Sequence, residues 1–148
     1  MKSLQLPDSS HPILCVIDLT DGLLHELKWA IEEAKKHNCH ISVLYPYRLN
    51  QERRNGLNIQ SKKELDRMAT TRFEDVAEGL LQESKISFDF RSEVGFVQDR
   101  IRQFTNKHDV AMLVMGKRMA MENTESLQEL IGWLDVPVVM VPQGEPVA

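Results

Sequence analysis

Two rhythms of apolar and polar positions alternate along this chain. The run "PILCVID" is apolar without interruption until it ends in Asp18, which predicts a central parallel strand buried on both faces. Thr20 or Asp21 is then expected to cap a helix reaching about His37, because their side-chain oxygens accept from free backbone N–H groups. Leu23, Leu24, Leu27, Ala30, Ile31 and Ala34 recur at helical spacing and mark its buried face. "HISVLYPY" predicts a second strand, stopped by Pro46, and "RLNQERRNGLN" is polar and aperiodic, as a loop would be. Ser61 is placed to cap a long helix whose apolar positions are Leu65, Met68, Ala69, Phe73, Val76, Ala77, Leu80 and Leu81. "ISFDFRSEV" alternates, so it predicts a less deeply buried strand near a sheet edge. Gly95 turns the chain into a helix with Val97, Ile101 and Phe104 inward. "VAMLVMG" predicts another buried strand, a short helix carries Leu127, Leu130, Ile131 and Leu134, and "VPVVMVP" closes the pattern.

Strands separated by helix-sized connections imply parallel pairing with right-handed crossovers. The expected fold is α/β, an open five-stranded parallel sheet with helices on both faces. Residues 12–143 are read as one domain, with a flexible arm at 1–11 and a short tail at 144–148.

Composition sharpens this picture only a little. A chain of 148 residues, 42% hydrophobic and 27% charged, suits one soluble domain with a real core. Its net charge of −4 argues against nucleic acid as a partner, since phosphate backbones select basic surfaces. No run is long and apolar enough for a membrane span or a signal peptide, so a cytoplasmic location is expected. Cys15 and Cys39 lie in apolar runs without disulfide or CxxC spacing, and are read as reduced core thiols. The "HNCH" cluster, His37 to His40, has metal-ligand residue types, but a helix end followed by a strand start would point them apart, so no metal is expected. From Arg48 to Arg72 the bases Arg48, Arg53, Arg54, Lys62, Lys63, Arg67 and Arg72 outnumber the acids Glu52, Glu64 and Asp66. That segment is either an anion- or partner-binding flank or a solvated face.

In open α/β sheets, ligands bind beyond the carboxyl ends of the strands, where strand order reverses. The residues there are Asp18, Leu19 and Thr20, then Pro46 and Tyr47, Val94 and Gly95, and Met115, Gly116, Lys117 and Arg118. Asp18 could accept from a ribose hydroxyl or an adenine amine, or could simply cap the next helix. Enzyme signatures are missing: the sequence has no GxGxxG, no Walker loop, no GxSxG elbow and no evident Ser/His/Asp order. "GKR" lacks the upstream glycine and the Ser/Thr of a Walker loop, so no catalytic residues are assigned.

The order of these pieces resembles the universal stress protein family over nearly the whole chain. "ILCVIDLTDGLLHELKWAIEEAKKHNCHISVLY" is similar to the family's opening, "EVGFVQDRIRQFTNKHDVAMLVMGKR" to its second half, and "VPVVMVP" to its closing strand. The resemblance implies strand order 3-2-1-4-5 and a homodimer, here through the final strand from Val136 to Val141. It also implies, in members that bind ATP, a glycine after strand four, another three residues on, and Gly-Ser or Gly-Thr about ten residues later. Gly116 matches the first, but the second falls on Met119, the last pair falls near Thr124-Glu125, and the loop is about five residues short. Glycine gives phosphates close access to backbone N–H groups, and Met119 does not. Glu122 and Glu125 would add negative charge there, partly offset by Lys117 and Arg118. Thr124 or Ser126 is left as a cap for the last helix.

The expectation is therefore a dimeric, non-catalytic domain that engages an unknown protein partner, with ATP or another adenine nucleotide bound weakly if at all. Asp18, Leu19, Thr20, Tyr47, Val94, Met115, Gly116, Lys117 and Arg118 form its candidate residual nucleotide cleft. The alternatives are a nucleotide-binding stress sensor with a weakened phosphate site and an adenylyl-transferring enzyme.

Overall fold

The computed structural model of the protein describes residues 11–19, 24–48, 62–122 and 124–142. The elements run β1 (Ile13–Val16), α1 (His25–His37), β2 (Ile41–Tyr47), α2 (Lys62–Phe73), a π-helical turn (Glu74–Glu78), α3 (Gly79–Ser84), β3 (Phe88–Val94), α4 (Val97–Lys107), β4 (Met112–Gly116), α5 (Lys117–Glu122), α6 (Thr124–Trp133) and β5 (Val138–Val141). All strand pairs are parallel, and the order is β3-β2-β1-β4-β5. This is the expected open sheet. The alternating "ISFDFRSEV" strand lies at one edge and "VPVVMVP" at the other.

Strand periodicity divides the core in two. Ile13 and Cys15 of β1 and Ile17 just after it, with Met112 and Val114 of β4, face α1, α2 and α3. Leu14 and Val16, with Leu113 and Met115, face α4, α5 and α6. A strand at the centre of such a sheet has no solvent face, which is why "ILCV" could not alternate.

The second long helix obeys an unexpected rule. Its buried residues are Leu65, Ala69, Phe73, Ala77 and Leu81, one every four positions. An α-helix turns about 100° per residue, so such a stripe would drift about 40° at each step. The π turn between Phe73 and Gly79 takes up extra residues at the middle of the stripe and returns it to the sheet. Met68, expected inside, is exposed.

Three of the boundaries that differ from the sequence expectation have a local physical reason. Helix α1 starts at His25 rather than after Thr20 or Asp21, and Leu24 precedes it in a left-handed conformation without a side-chain cap. Leu24 is buried, and that burial offsets a backbone cost of about 1–2 kcal/mol. Pro46 does not stop β2. Pairing with β1 ends at Val16↔Leu44, whereas pairing with β3 continues through Pro46↔Glu93 and Tyr47↔Val94. Proline is tolerated because its missing N–H falls past the end of the neighbouring strand. The last strand begins at Val138, not Val136, because Pro137 uses its carbonyl to accept from Leu113 and has no N–H to extend the ladder.

Expectations for Thr20, Asp21, Leu23, the loop from Arg48 to Asn58 apart from Arg48 itself, Ser61, the arm 1–11 before His11 and the tail 144–148 fall outside the described residues. The side chains of Glu122, Thr124, Glu125 and Ser126 also lie outside them. Both cysteines are buried, and neither is in a disulfide among the described residues. Burial, then the Glu26 carboxylate, pushes the Cys15 thiol well above its ordinary pKa, so it is an inert core group.

Candidate functional site

The carboxyl ends of β1 and β4 lie together. Val16 pairs with Met115, so Asp18 and Gly116 stand at the same end of the sheet. That end also carries Tyr47 and Val94, which face each other across β2 and β3. The expected cleft residues are thus brought to one rim, with Thr20 outside the described residues.

Their side chains do different things. Asp18 is partly exposed, two residues past β1. Leu19 is buried, and its carbonyl accepts from Nε of Arg72 at 3.4 Å, which ties the chain after β1 to the end of α2. Met115 is fully buried in the core under α4–α6, so it can offer the cleft only backbone. Gly116 is the last residue of β4, and Lys117 and Arg118 are exposed in the first turn of α5.

The chain after Gly116 is helix. Where a glycine-rich loop would wrap a phosphate, Lys117–Glu122 forms α5, and Met119 and Ala120 are buried in the core with Leu127 and Leu130. Met119 is 9% exposed. The family spacing implied an obstruction beside a ligand, but the Met119 side chain instead fills the core beneath the helix.

The rim beside β2 contains a network that the sequence did not reveal. Tyr47 is buried and donates its hydroxyl to Oδ1 of Asp66 at 2.6 Å, Ser92 donates to the same oxygen at 2.8 Å, and Lys62 donates to Oδ2 at 2.7 Å. These bonds fasten the start of α2 to β2 and β3. In the sequence Asp66 was only one acid offsetting a basic segment, and neither Tyr47 nor Ser92 is close to it in the chain.

Burial raises the Asp66 pKa, but the hydrogen bonds from Lys62, Tyr47 and Ser92 and the Lys62 charge outweigh it, leaving the carboxyl below its ordinary value. A carboxyl depressed in the folded state contributes stability above its unfolded pKa, near 4, and loses it as pH falls through the lower folded value. Stability measured by urea between about pH 5 and pH 2.5 should therefore decline with a slope that Asp66→Asn reduces. An unchanged slope would show that the network does not carry this linkage.

The basic segment is less free than its charge suggested. Lys62 serves Asp66, Arg72 serves Leu19, and the Arg48 guanidinium lies 4.8 Å from the centre of the exposed Phe96 ring. Arg53 and Arg54 lie outside the described residues. In the "HNCH" cluster, His40 bonds Asp89 and Ser87, while His37 ends α1. Among the described residues, no group of three or more His, Cys, Asp or Glu could hold a metal ion. No described helix is long and apolar enough to cross a membrane.

Known structures share this architecture. A universal stress protein from Archaeoglobus fulgidus in complex with dAMP is 17% identical, covers 90% of this chain and 99% of its own, and has a TM-score of 0.64. The hypothetical protein MJ0577 is 15% identical, with 94% and 100% covered and a TM-score of 0.71. A universal stress protein family protein from Arabidopsis thaliana with AMP bound is 13% identical, with 90% and 92% covered and a TM-score of 0.57. At these identities the likeness is one of fold. Among curated proteins, none matches this sequence. The family model for universal stress proteins matches residues 10–142, nearly the whole chain. With strand order, register and family model in agreement, the chain belongs to the universal stress protein family.

Proposed function

We propose that this is a cytoplasmic stress-response domain that acts as a homodimer through a protein partner, with no chemistry at the strand-end cleft and no tight binding of ATP. The observation that carries this reading is the helix at Lys117–Glu122, which stands where a phosphate loop would have to be and buries Met119. Millimolar ATP should leave the unfolding midpoint unmoved. A micromolar ligand at a thousand times its Kd would add about 4 kcal/mol, a shift on the order of 10 °C for a domain of this size. Such a shift, or turnover of ATP by the purified chain, would overturn the reading.

A second reading is an adenine-nucleotide sensor with a weakened phosphate site. The dAMP and AMP complexes of the similar structures favour it, as does the shared rim of Asp18, Tyr47, Val94 and Gly116.

The dimer is argued from β5, which among the described residues pairs on one side only, with β4. An unpaired apolar edge invites a second copy. Met140 is 42% exposed on this strand, whereas Val139 packs against the core. Lysine at position 139 would therefore threaten the fold as well as the contact. Met140→Lys should shift sedimentation from dimer to monomer while keeping the unfolding midpoint within a few degrees. A monomeric unmodified chain would end this proposal.

A further inference from the structure

At the opposite end of the sheet, where β2 and β3 begin, the side chain of His40 meets those of Ser87 and Asp89, 47 and 49 residues further along the chain. Oδ2 of Asp89 lies 2.7 Å from Nε2 of His40, and Nδ1 of His40 lies 3.0 Å from Oγ of Ser87. The register explains the meeting: Ile41 pairs with Phe88 and Ser42 with Asp89, so His40, Ser42, Ser87 and Asp89 point to one face. Ser42 donates to the same Oδ2 at 3.1 Å, which holds the carboxylate in place, while Nε of Arg91 stands 3.9 Å from Oδ1, an ion-pair distance without a hydrogen bond.

The bonds define a direction for the proton. A carboxylate can only accept, so Nε2 of His40 carries the hydrogen given to Asp89, and the lone pair of Nδ1 is left for the Ser87 hydroxyl. A serine bonded to a base that is itself oriented by a carboxylate is the arrangement of an activated nucleophile. Ser87 is exposed, so a reagent can reach it.

We propose that Ser87 is an acylation site that takes acyl groups from activated esters, with His40 as general base and Asp89 as the positioning residue. Oγ of Ser87 forms a bond to the acyl carbon while its proton passes to Nδ1 of His40. The bond from that carbon to the leaving oxygen then breaks, and the leaving alcohol or phenol takes the proton, with no change of oxidation state. The modified serine is the product, so the proposal concerns stoichiometric acylation of the chain itself. The site lies about 20 Å along β3 from the strand-end rim, at about 3.3 Å per residue, so it stands or falls independently of the nucleotide cleft.

The test treats the full chain with p-nitrophenyl acetate and follows nitrophenolate release, intact mass and peptide mapping. The expected result is acetylation of Ser87 ahead of every other serine, absent in Ser87→Ala. It should fall about 100-fold or more in His40→Gln, the size of a general-base contribution, and fall also in Asp89→Asn. Circular dichroism shows whether each variant folds. If His40→Gln does not, the unmodified chain decides, and there the lack of any preference for Ser87 overturns the proposal. So does a Ser87 rate unchanged in folded His40→Gln, or acetylation confined to lysines and the amino terminus.

Discussion

Calorimetric titration should give ATP no advantage over adenosine. A bound triphosphate needs several N–H groups aimed at it, each hydrogen bond to a charged group contributing about 1.5–3 kcal/mol. Here Gly116 is followed directly by helix, and Met119 and Ala120 are committed to the core. Losing two such bonds costs about 3–6 kcal/mol, enough to move a micromolar site to the millimolar range or beyond. Adenosine binding, if measured, is proposed at the rim beside Asp18. Asp18→Ala should therefore weaken whatever adenosine binding is measured and lower any weak ATP binding in the same proportion. Exposed Lys117 and Arg118 are the groups that could replace the loop. A micromolar ATP constant abolished by Lys117→Ala or Arg118→Ala would show that they do, and the proposed function would fall.

The largest effect on stability is expected from Phe73→Ala, about 3–5 kcal/mol. Phe73 is buried at the join between α2 and the π turn, where its ring stacks on Phe90 at 4.2 Å and 11° and meets Phe88 at 6.1 Å. Removing it opens a cavity against the edge strand β3, whose other residues are only partly buried and offer little to refill it. The aromatic pair adds about 0.5–1.5 kcal/mol beyond the area buried. The unfolding midpoint should fall by roughly 10 °C or more. A loss under about 1 kcal/mol would mean that the helix can slide along its four-residue stripe and collapse the cavity.

That stripe shows why some features were legible and others not. Leu65, Ala69, Phe73, Ala77 and Leu81 were all predicted to face the core, but hydrophobic spacing alone read them as ordinary helix. The π turn is a local answer to a period of four, visible once the buried set is known. Pro46 misled in the opposite way. A proline stops a strand only where its N–H was needed, and that depends on how far β1 extends beside it. Asp66 had no signal, because its partners Tyr47 and Ser92 belong to strands 19 and 26 residues away in sequence.

The sequence by itself determined the alternation of strands and helices, the buried centre at "ILCV" and "MLVM", the less deeply buried character of the β3 edge and the family, because each of these is written in local periodicity and order. Only the tertiary structure decided what stands beyond Gly116, how Asp66 closes the rim, and that His40, Ser87 and Asp89 meet. The last two depend on β2 and β3 lying side by side, and parallel pairing joins residues that no spacing along the chain brings into view.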